Sequence, residues 1–530
     1  MDLPTSRPPG CAAPDAPIPS RGAAPGGFTR LLRELVDDRR SRLALTLAMV
    51  VAVAVVRVAS LGASALTDAT EARYGEIARV MLATGNWVTP QEWPGHPFWA
   101  KPPLYAWVSA ASMALLGVSE FAARLPSLLF AAASAWLVFG WARTAGAAGR
   151  PEAPLDRGVL AVGVLCSSLL FFVSAGAVMT DPALMFATTW TLAAFHHAAI
   201  DQARDAGWRW GFFIAAGLCM LAKGPVAVLY AGLPIAAWIA WTGQWRVAWQ
   251  RLPWARGAVL FVAIWLPWYA AAEARTPGFL RYFLLGEHVL RFVEPGWTGD
   301  LYGGTHPQPL GTIWVFALAA LGPWALCAAW MLVDEIRRRR WHRMSRPEYR
   351  ASAFLWLCVL APLAAFSVAR NLLWTYVLPV AGALATLVAA GLDQRMQVSP
   401  GWRVAFVSLL LASYGLLTVV WVAVLPRGIQ SRTTAALVAA WRQEAADEPG
   451  PIRFWGTRPP ASLRFYSRGE ATPLGATERF DATHHVVYVV VEQRDLDAFR
   501  QWAAARQPAR ITETLMTNGH HALVEVEIGN

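Results

Sequence analysis

The chain has 530 residues, 56% of them hydrophobic and only 15% charged, with a formal net charge of +11. Soluble domains carry about 25% charged residues, so this composition excludes an ordinary soluble enzyme. The excess of basic residues is therefore to be read loop by loop across a membrane, and not as a nucleic-acid footprint. Cys11, Cys166, Cys219, Cys327 and Cys358 include no Cys-x-x-Cys pair and point to neither a disulfide framework nor a thiolate metal site.

Residues 1–42 read as a cytoplasmic tail, and Met1–Gly27, rich in Pro, Ala and Gly, as disordered. Arg39-Arg40-Ser41-Arg42 precedes the first membrane span, Leu43–Ala63. That apolar run begins too late and is too long for a cleaved signal peptide. The first outer loop, 64–120, carries two segments that lie along the membrane. Glu71–Ala83 is amphipathic, with Tyr74, Ile77, Ala78 and Met81 on one face and Arg73, Glu76 and Arg79 among its polar residues. Pro102–Gly117 is apolar, and the positive-inside rule decides that it does not cross. With it on the surface, Arg143, Arg150, Arg157, Arg204, Arg209, Arg246, Arg251, Arg256 and the run Arg337–Arg340 with Arg343 all fall on the cytoplasmic side.

The later spans are Phe121–Trp141, Gly158–Ala175, Pro182–Ile200, Trp208–Ala222, Pro225–Thr242, Gly257–Ala272, Leu310–Val333, Ala351–Val368, Leu372–Leu392 and Val404–Leu425. The fold class is thus a polytopic α-helical membrane protein with about eleven transmembrane helices, each run being long enough for a bilayer core, in a transmembrane domain over 43–425. Residues 426–530 read as a small α/β domain outside the cytoplasm. Its predicted strands are Ile452–Gly456 and Val486–Val491, and its predicted helices Thr433–Ala446 and Leu496–Ala505.

Polar chemistry gathers on the outer face. The first loop holds Asp68, Glu71, Arg73, Tyr74 and Lys101; later turns hold Asp181, Lys223, Glu287, His288, Arg291 and His306, with Arg370 and Tyr376 near the last. Lys101 and Lys223 are the chain's two lysines, each just before a proline turn at the mouth of an apolar segment, while every other basic residue is arginine. A GC-rich genome accounts for the bias alone. Their placement points instead to sites where a compact point charge matters. Cations and carboxylates on one face suit chemistry on a phosphate-bearing lipid: the cations hold phosphate, and a carboxylate orients or deprotonates a nucleophile. Plainer roles stand beside these: a helix N-terminal acid for Glu71, an N-cap for Asp181 before Pro182, and an aromatic-belt residue for Tyr376.

Thr70-Glu71-Ala72-Arg73-Tyr74-Gly75-Glu76-Ile77-Ala78-Arg79 resembles the first-loop signature of the bacterial aminoarabinose lipid A transferases, within the C-type glycosyltransferase superfamily that includes the protein O-mannosyltransferases. Gly85–Pro90, Lys101-Pro102-Pro103-Leu104, Arg124-Leu125-Pro126-Ser127, Asp181, Lys223-Gly224-Pro225, Glu287–Phe292, Pro323-Trp324 and Thr375–Pro379 continue the resemblance in order. It implies an inverting glycosyltransferase of the inner membrane. This enzyme would move a sugar (hexosyl, hexosaminyl or pentosyl) from an undecaprenyl-type phosphate carrier to lipid A or a related envelope glycolipid at the periplasmic face. It further implies that Lys101, Arg291 and Tyr376 bind the donor phosphate, with Lys223, Arg73, Tyr74 and His288 around the donor, and that Glu71 and Asp181 are the catalytic carboxylates. Thr70 stands where the family usually has Asp, so Asp68 joins the candidate acids; Ala100 stands where a Glu is usual. No cofactor is fixed, and a divalent cation at Glu287, His288 and His306 stays open. The alternatives are transfer to protein hydroxyls or a polysaccharide, and a flippase or transporter of lipid-linked sugar. Gathering of charge at one face, with no internal repeat, favours the enzyme.

Overall fold

A computed structural model describes residues 36–529 apart from 146–153, 204, 295–296, 304–305, 340–344, 425–431, 476, 479–483 and 506–508. Residues 1–35 of the N-terminal tail, which include Cys11, lie outside the described residues, as do Arg150, Arg204, Arg340 and Arg343. Among the described residues, six helices are long and apolar enough to cross a membrane, or up to eight if each of two sharply bent pairs is one span. Several expected spans are not single helices. Gly158–Ala175 divides into Pro154–Cys166 and Leu169–Ser174 at Ser167-Ser168. Leu310–Val333 divides into Thr312–Leu321 and Pro323–Arg337, bent by 117° at Gly322-Pro323. Proline cannot donate the helical hydrogen bond and glycine tolerates positive φ, so the break falls where the two adjoin.

The first-loop segments form helices Glu71–Thr84 and Leu104–Leu116. The latter has 13 residues, about 20 Å of helix, short of the ~30 Å hydrocarbon core. Between them, β1 (Gln91–Trp93) and β2 (His96–Pro97) form a small antiparallel ribbon.

The C-terminal region contains helix Ala435–Asp447, β3 (Ile452–Trp455), helix Ala461–Tyr466, β4 (Thr472–Leu474), β5 (Val486–Glu492), helix Leu496–Ala504, β6 (Ala509–Thr517) and β7 (His521–Ile528). The sheet order is β4-β3-β5-β7-β6, with β3 parallel to β4 and β5, and β7 antiparallel to β5 and β6. β5 is buried along nearly its whole length, as the central strand of a sheet covered on both faces should be.

Helix Ala461–Tyr466 packs on Glu71–Thr84 and locks this domain to the first loop. Gly75 permits the approach: a Cβ there would sit 2.8 Å from Leu66 Cδ1 and 3.5 Å from the Phe465 ring. Tyr466 accepts from Leu66 N–H at 2.7 Å and donates to Glu120 Oε1 at 3.0 Å. The C-terminal domain therefore lies on the same face as the first loop.

Candidate functional site

Two helices bring the first pair of site residues together. Asp181–Phe195 and Ala206–Lys223 pack side by side as consecutive helices. This places Asp181, in the first turn of one, against Lys223, at the end of the other, with Lys223 Nζ donating to Asp181 Oδ1 at 2.6 Å. The N-cap of the Asp181 helix is Thr180, without a side-chain capping bond. Asp181 therefore does not act as the N-cap; its carboxylate pairs with Lys223. Gly224 then turns the chain at φ +80°, and the bend between Ala206–Val226 and Val228–Thr242 reaches 112°. A Cβ on Gly224 would lie 2.6 Å from Phe283 Cζ, so both backbone and space require glycine here.

Phe283 belongs to a π-helix, Arg281–Leu290, that carries the next group. Glu287 is buried and ties two cations: Lys101 Nζ donates to its Oε2 at 3.3 Å and Arg291 Nη1 donates to the same oxygen at 2.8 Å. Tyr282 OH donates to Glu287 Oε1 at 3.1 Å. Burial alone would raise the Glu287 carboxyl, but Lys101 and Arg291 outweigh it and hold the group below its usual range. Burial also lowers the Lys101 ammonium, which Glu287 offsets and Lys223 and Arg291 reinforce. Arg291 Nη2 is 3.5 Å from Asp300 Oδ2. His288 sets its ring between Phe283 O (2.7 Å from Nδ1) and Lys223 O (3.2 Å from Nε2), and burial lowers its pKa. The Lys223 carbonyl is one of those freed at a helix end, so His288 joins the Lys223 turn to the Glu287 helix.

These residues form a partly open pocket lined by Lys101, Lys223, Val226, Tyr230, Glu287, His288, Arg291 and Tyr376. Three cations face one carboxylate in that lining. Tyr376 presents its ring 4.9 Å from Lys223 Nζ, and Tyr230 OH donates to the Tyr376 carbonyl at 2.7 Å. Converging cations inside an apolar wall suit a phosphate whose charge rises during reaction.

The other predicted site residues are not among those lining the pocket. Glu71 accepts two parallel bonds from Arg124, Nε to Oε1 at 3.0 Å and Nη2 to Oε2 at 3.1 Å. It also accepts from Thr67 Oγ1 at 3.1 Å and Val178 N–H at 3.2 Å. Its oxygens are thus spent on holding the first loop to helix Glu120–Thr144. Asp68 caps the C-terminal domain, accepting from Ser462 N–H at 2.9 Å and from the Ser462 hydroxyl. Arg73 Nε faces Glu92 Oε1 at 3.3 Å, and Tyr74 packs edge-on against Phe98 and Tyr105. Glu71, Asp68, Arg73 and Tyr74 are outside the pocket lining, as is Asp181, which is paired with Lys223; Tyr74 is near enough to feel the charges of Asp181, Glu287 and Arg291. Nor do Glu287, His288 and His306 form a cation site: Glu287 is taken by Lys101, Arg291 and Tyr282, His288 faces two carbonyls, and His306 lies beside the Pro307–Asn371 bridge, its backbone N–H on Asn371 Oδ1.

Glu287 as the shared anchor of Lys101 and Arg291, and Tyr230 as a wall, were not singled out from sequence. The Glu287/Arg291 spacing of four was the available signal for the first.

Glu71→Ala tests the structural reading of that acid. Removing one partner of a buried pair costs about 3–5 kcal/mol, so thermal unfolding of the detergent-solubilised protein is expected to drop by several degrees. An unchanged unfolding temperature with abolished activity would return Glu71 to the catalytic set.

Residues 41–283 match the family described as dolichyl-phosphate-mannose-protein mannosyltransferase. An undecaprenyl phosphate-alpha-4-amino-4-deoxy-L-arabinose arabinosyl transferase from Pseudomonas savastanoi pv. phaseolicola is 30% identical over 373 residues, 68% of this chain and 64% of that protein. Its counterpart in Pseudomonas paraeruginosa is 31% identical over 333 residues, 62% of this chain and 56% of that protein. The chain thus spans less than two thirds of the length of these relatives. ArnT from Cupriavidus metallidurans bound to undecaprenyl phosphate superposes with a TM-score of 0.68 at 20% identity, covering 92% of this chain and 98% of that one. The two share a fold.

Proposed function

Because this chain is similar in sequence to the aminoarabinosyl transferases and has the C-type glycosyltransferase fold of ArnT, we propose that it is an inverting glycosyltransferase that takes its sugar from a polyprenyl phosphate, of undecaprenyl type. The acceptor is lipid A or a related envelope glycolipid, and the chemistry occurs at the periplasmic face of the inner membrane. A topology of about eleven spans, with the Leu104–Leu116 helix on the surface, would put the pocket and the C-terminal domain on that side, and the arginine-rich loops support it.

The observation that carries this reading is the pocket in which Lys101, Lys223 and Arg291 converge around one buried carboxylate. An acceptor oxygen attacks the anomeric carbon as the bond from that carbon to the carrier phosphate breaks. The phosphate leaves with the bonding pair, so its charge grows at the moment of reaction. Lys101 and Arg291, already fixed by Glu287, stabilise that charge without reorganising. Lys223, fixed by Asp181 and the Tyr376 ring, lies on the sugar side. A phosphate acceptor is already anionic and gives up no proton at neutral pH. Asp181 can then serve by positioning Lys223; with a hydroxyl acceptor it would take the proton.

Mass spectrometry of lipid A from wild-type and deletion strains tests the acceptor. The expected result is loss of one sugar-sized mass increment in the deletion strain, restored by the intact gene. An unchanged lipid A profile would remove lipid A as acceptor. A mass change confined to glycoproteins or polysaccharide would move the assignment there, and carrier-sugar translocation without any product would replace transfer by transport.

A further inference from the structure

At the far end of the helix that begins with Asp181, the chain forms a π-helical turn, His196–Ile200. The 15-residue α-helix and 5-residue π-turn together extend roughly 30 Å, so this turn lies at the membrane face opposite the pocket. We propose that His196, His197 and Asp201 bind a divalent transition-metal ion of zinc type there, a site separate from transfer chemistry.

Adjacent residues on an α-helix point about 100° apart. The wider π turn instead brings both imidazoles to one carboxylate: His196 Nδ1 lies 3.4 Å and His197 Nδ1 3.0 Å from Asp201 Oδ2. One ligand atom from each of the three residues falls within 4.8 Å of the others, the only such His/Cys/Asp/Glu group among the described residues. Ligand atoms bound at 2.0–2.1 Å in a tetrahedron are about 3.3 Å apart, so two of the separations already match. His196 is fully buried; its Nδ1 meets only Asp201 Oδ2, at a long 3.4 Å, and its Nε2 has no hydrogen-bond partner. A metal between Nδ1 and Asp201 would replace that long contact with two ligand bonds.

Trp208 lies 4.3 Å from the His197 ring and fixes its plane. Asp201 is partly exposed and gives an ion access from the aqueous side. Two imidazoles and a carboxylate select a borderline ion and leave a fourth position for water. The Nε2 atoms of both histidines lack the acceptor that normally fixes a ligating imidazole. The ion is therefore expected to exchange more readily than one in a structural zinc site.

Chelator-stripped full-length protein in detergent should bind one Co²⁺ per chain with the visible absorption of a low-coordinate site, displaced by Zn²⁺. Asp201→Asn and His197→Gln should each weaken binding about 10-fold or more, and His306→Gln should leave it unchanged. Absence of the visible band in the wild-type protein, or equal titration of both variants and wild type, would overturn the site. If the variants aggregate, X-ray absorption of the Zn²⁺-loaded wild type decides: a shell with two imidazoles supports the site, and an all-oxygen shell refutes it.

Discussion

Lys101→Ala is expected to leave a protein that accumulates in the membrane with near-normal thermal stability but transfers sugar about 10²–10³-fold more slowly, the usual cost of deleting one preorganised donor at a developing oxyanion. Lys101 is not needed to fill the core. It sits at the start of the Leu104–Leu116 helix with its ammonium 3.3 Å from Glu287, and it still faces the pocket. Removing it leaves Glu287 paired with Arg291 alone, so the remaining cation is partly neutralised as the leaving phosphate needs it. Transfer from a purified carrier-linked sugar measures the effect, and full activity in this variant would sink the phosphate-binding role. The pH profile gives an independent check. Burial lowers the Lys101 pKa, so kcat/KM, which reports the free enzyme, should decline on the alkaline side below the ordinary lysine range. In Lys101→Arg that decline should move to higher pH. An identical profile in the arginine variant would mean that another group titrates.

The parts legible in sequence were those written locally. Apolar length marked the helices, and the Lys-Gly-Pro string marked the break that presents Lys223. Charge asymmetry marked Pro102–Gly117 as a segment apart, and the structure shows a helix of 13 residues there. The partners of the acids were not legible, because they come from distant chain. Arg124 lies 53 residues from Glu71, and Ser462 lies 394 from Asp68. A carboxylate in a first loop reads the same whether it meets a substrate or an arginine. β6 was missed because it is an edge strand whose exposed Thr, Glu and Arg residues hide any alternation. β7 does alternate in part, with Leu523, Val524 and Val526 buried, and a closer reading of its period would have found it. The broken spans misled because hydropathy counts apolar length and is blind to a turn made by Ser167-Ser168 or Gly322-Pro323.

The Asp181–Lys223 pair should behave as one unit. Asp181→Ala and Lys223→Ala are each expected to reduce transfer on the order of 10²–10⁴-fold, and the double variant should be little worse than the poorer single one, since groups acting together are strongly non-additive. Each needs the other: without Asp181, the Lys223 ammonium keeps the Tyr376 ring but loses its carboxylate partner, and can swing away from its place in the pocket. Multiplicative losses in the double variant would show that the two act independently. Lys223→Arg is expected to fail as well. The ammonium sits 2.6 Å from Asp181 and 4.9 Å from the Tyr376 ring, at a turn closed by Phe283 against Gly224. A planar guanidinium is broader and carries its charge on a fork, so it would displace either the ring or the pocket volume. Asp181→Asn then separates the two roles of the acid. The amide oxygen can still accept from Lys223, so a positioning role predicts that most activity survives. A proton-accepting role predicts a loss as deep as that of alanine. With an anionic phosphate acceptor the first outcome is expected, which ties the asparagine result to the acceptor's chemistry as well as to the residue.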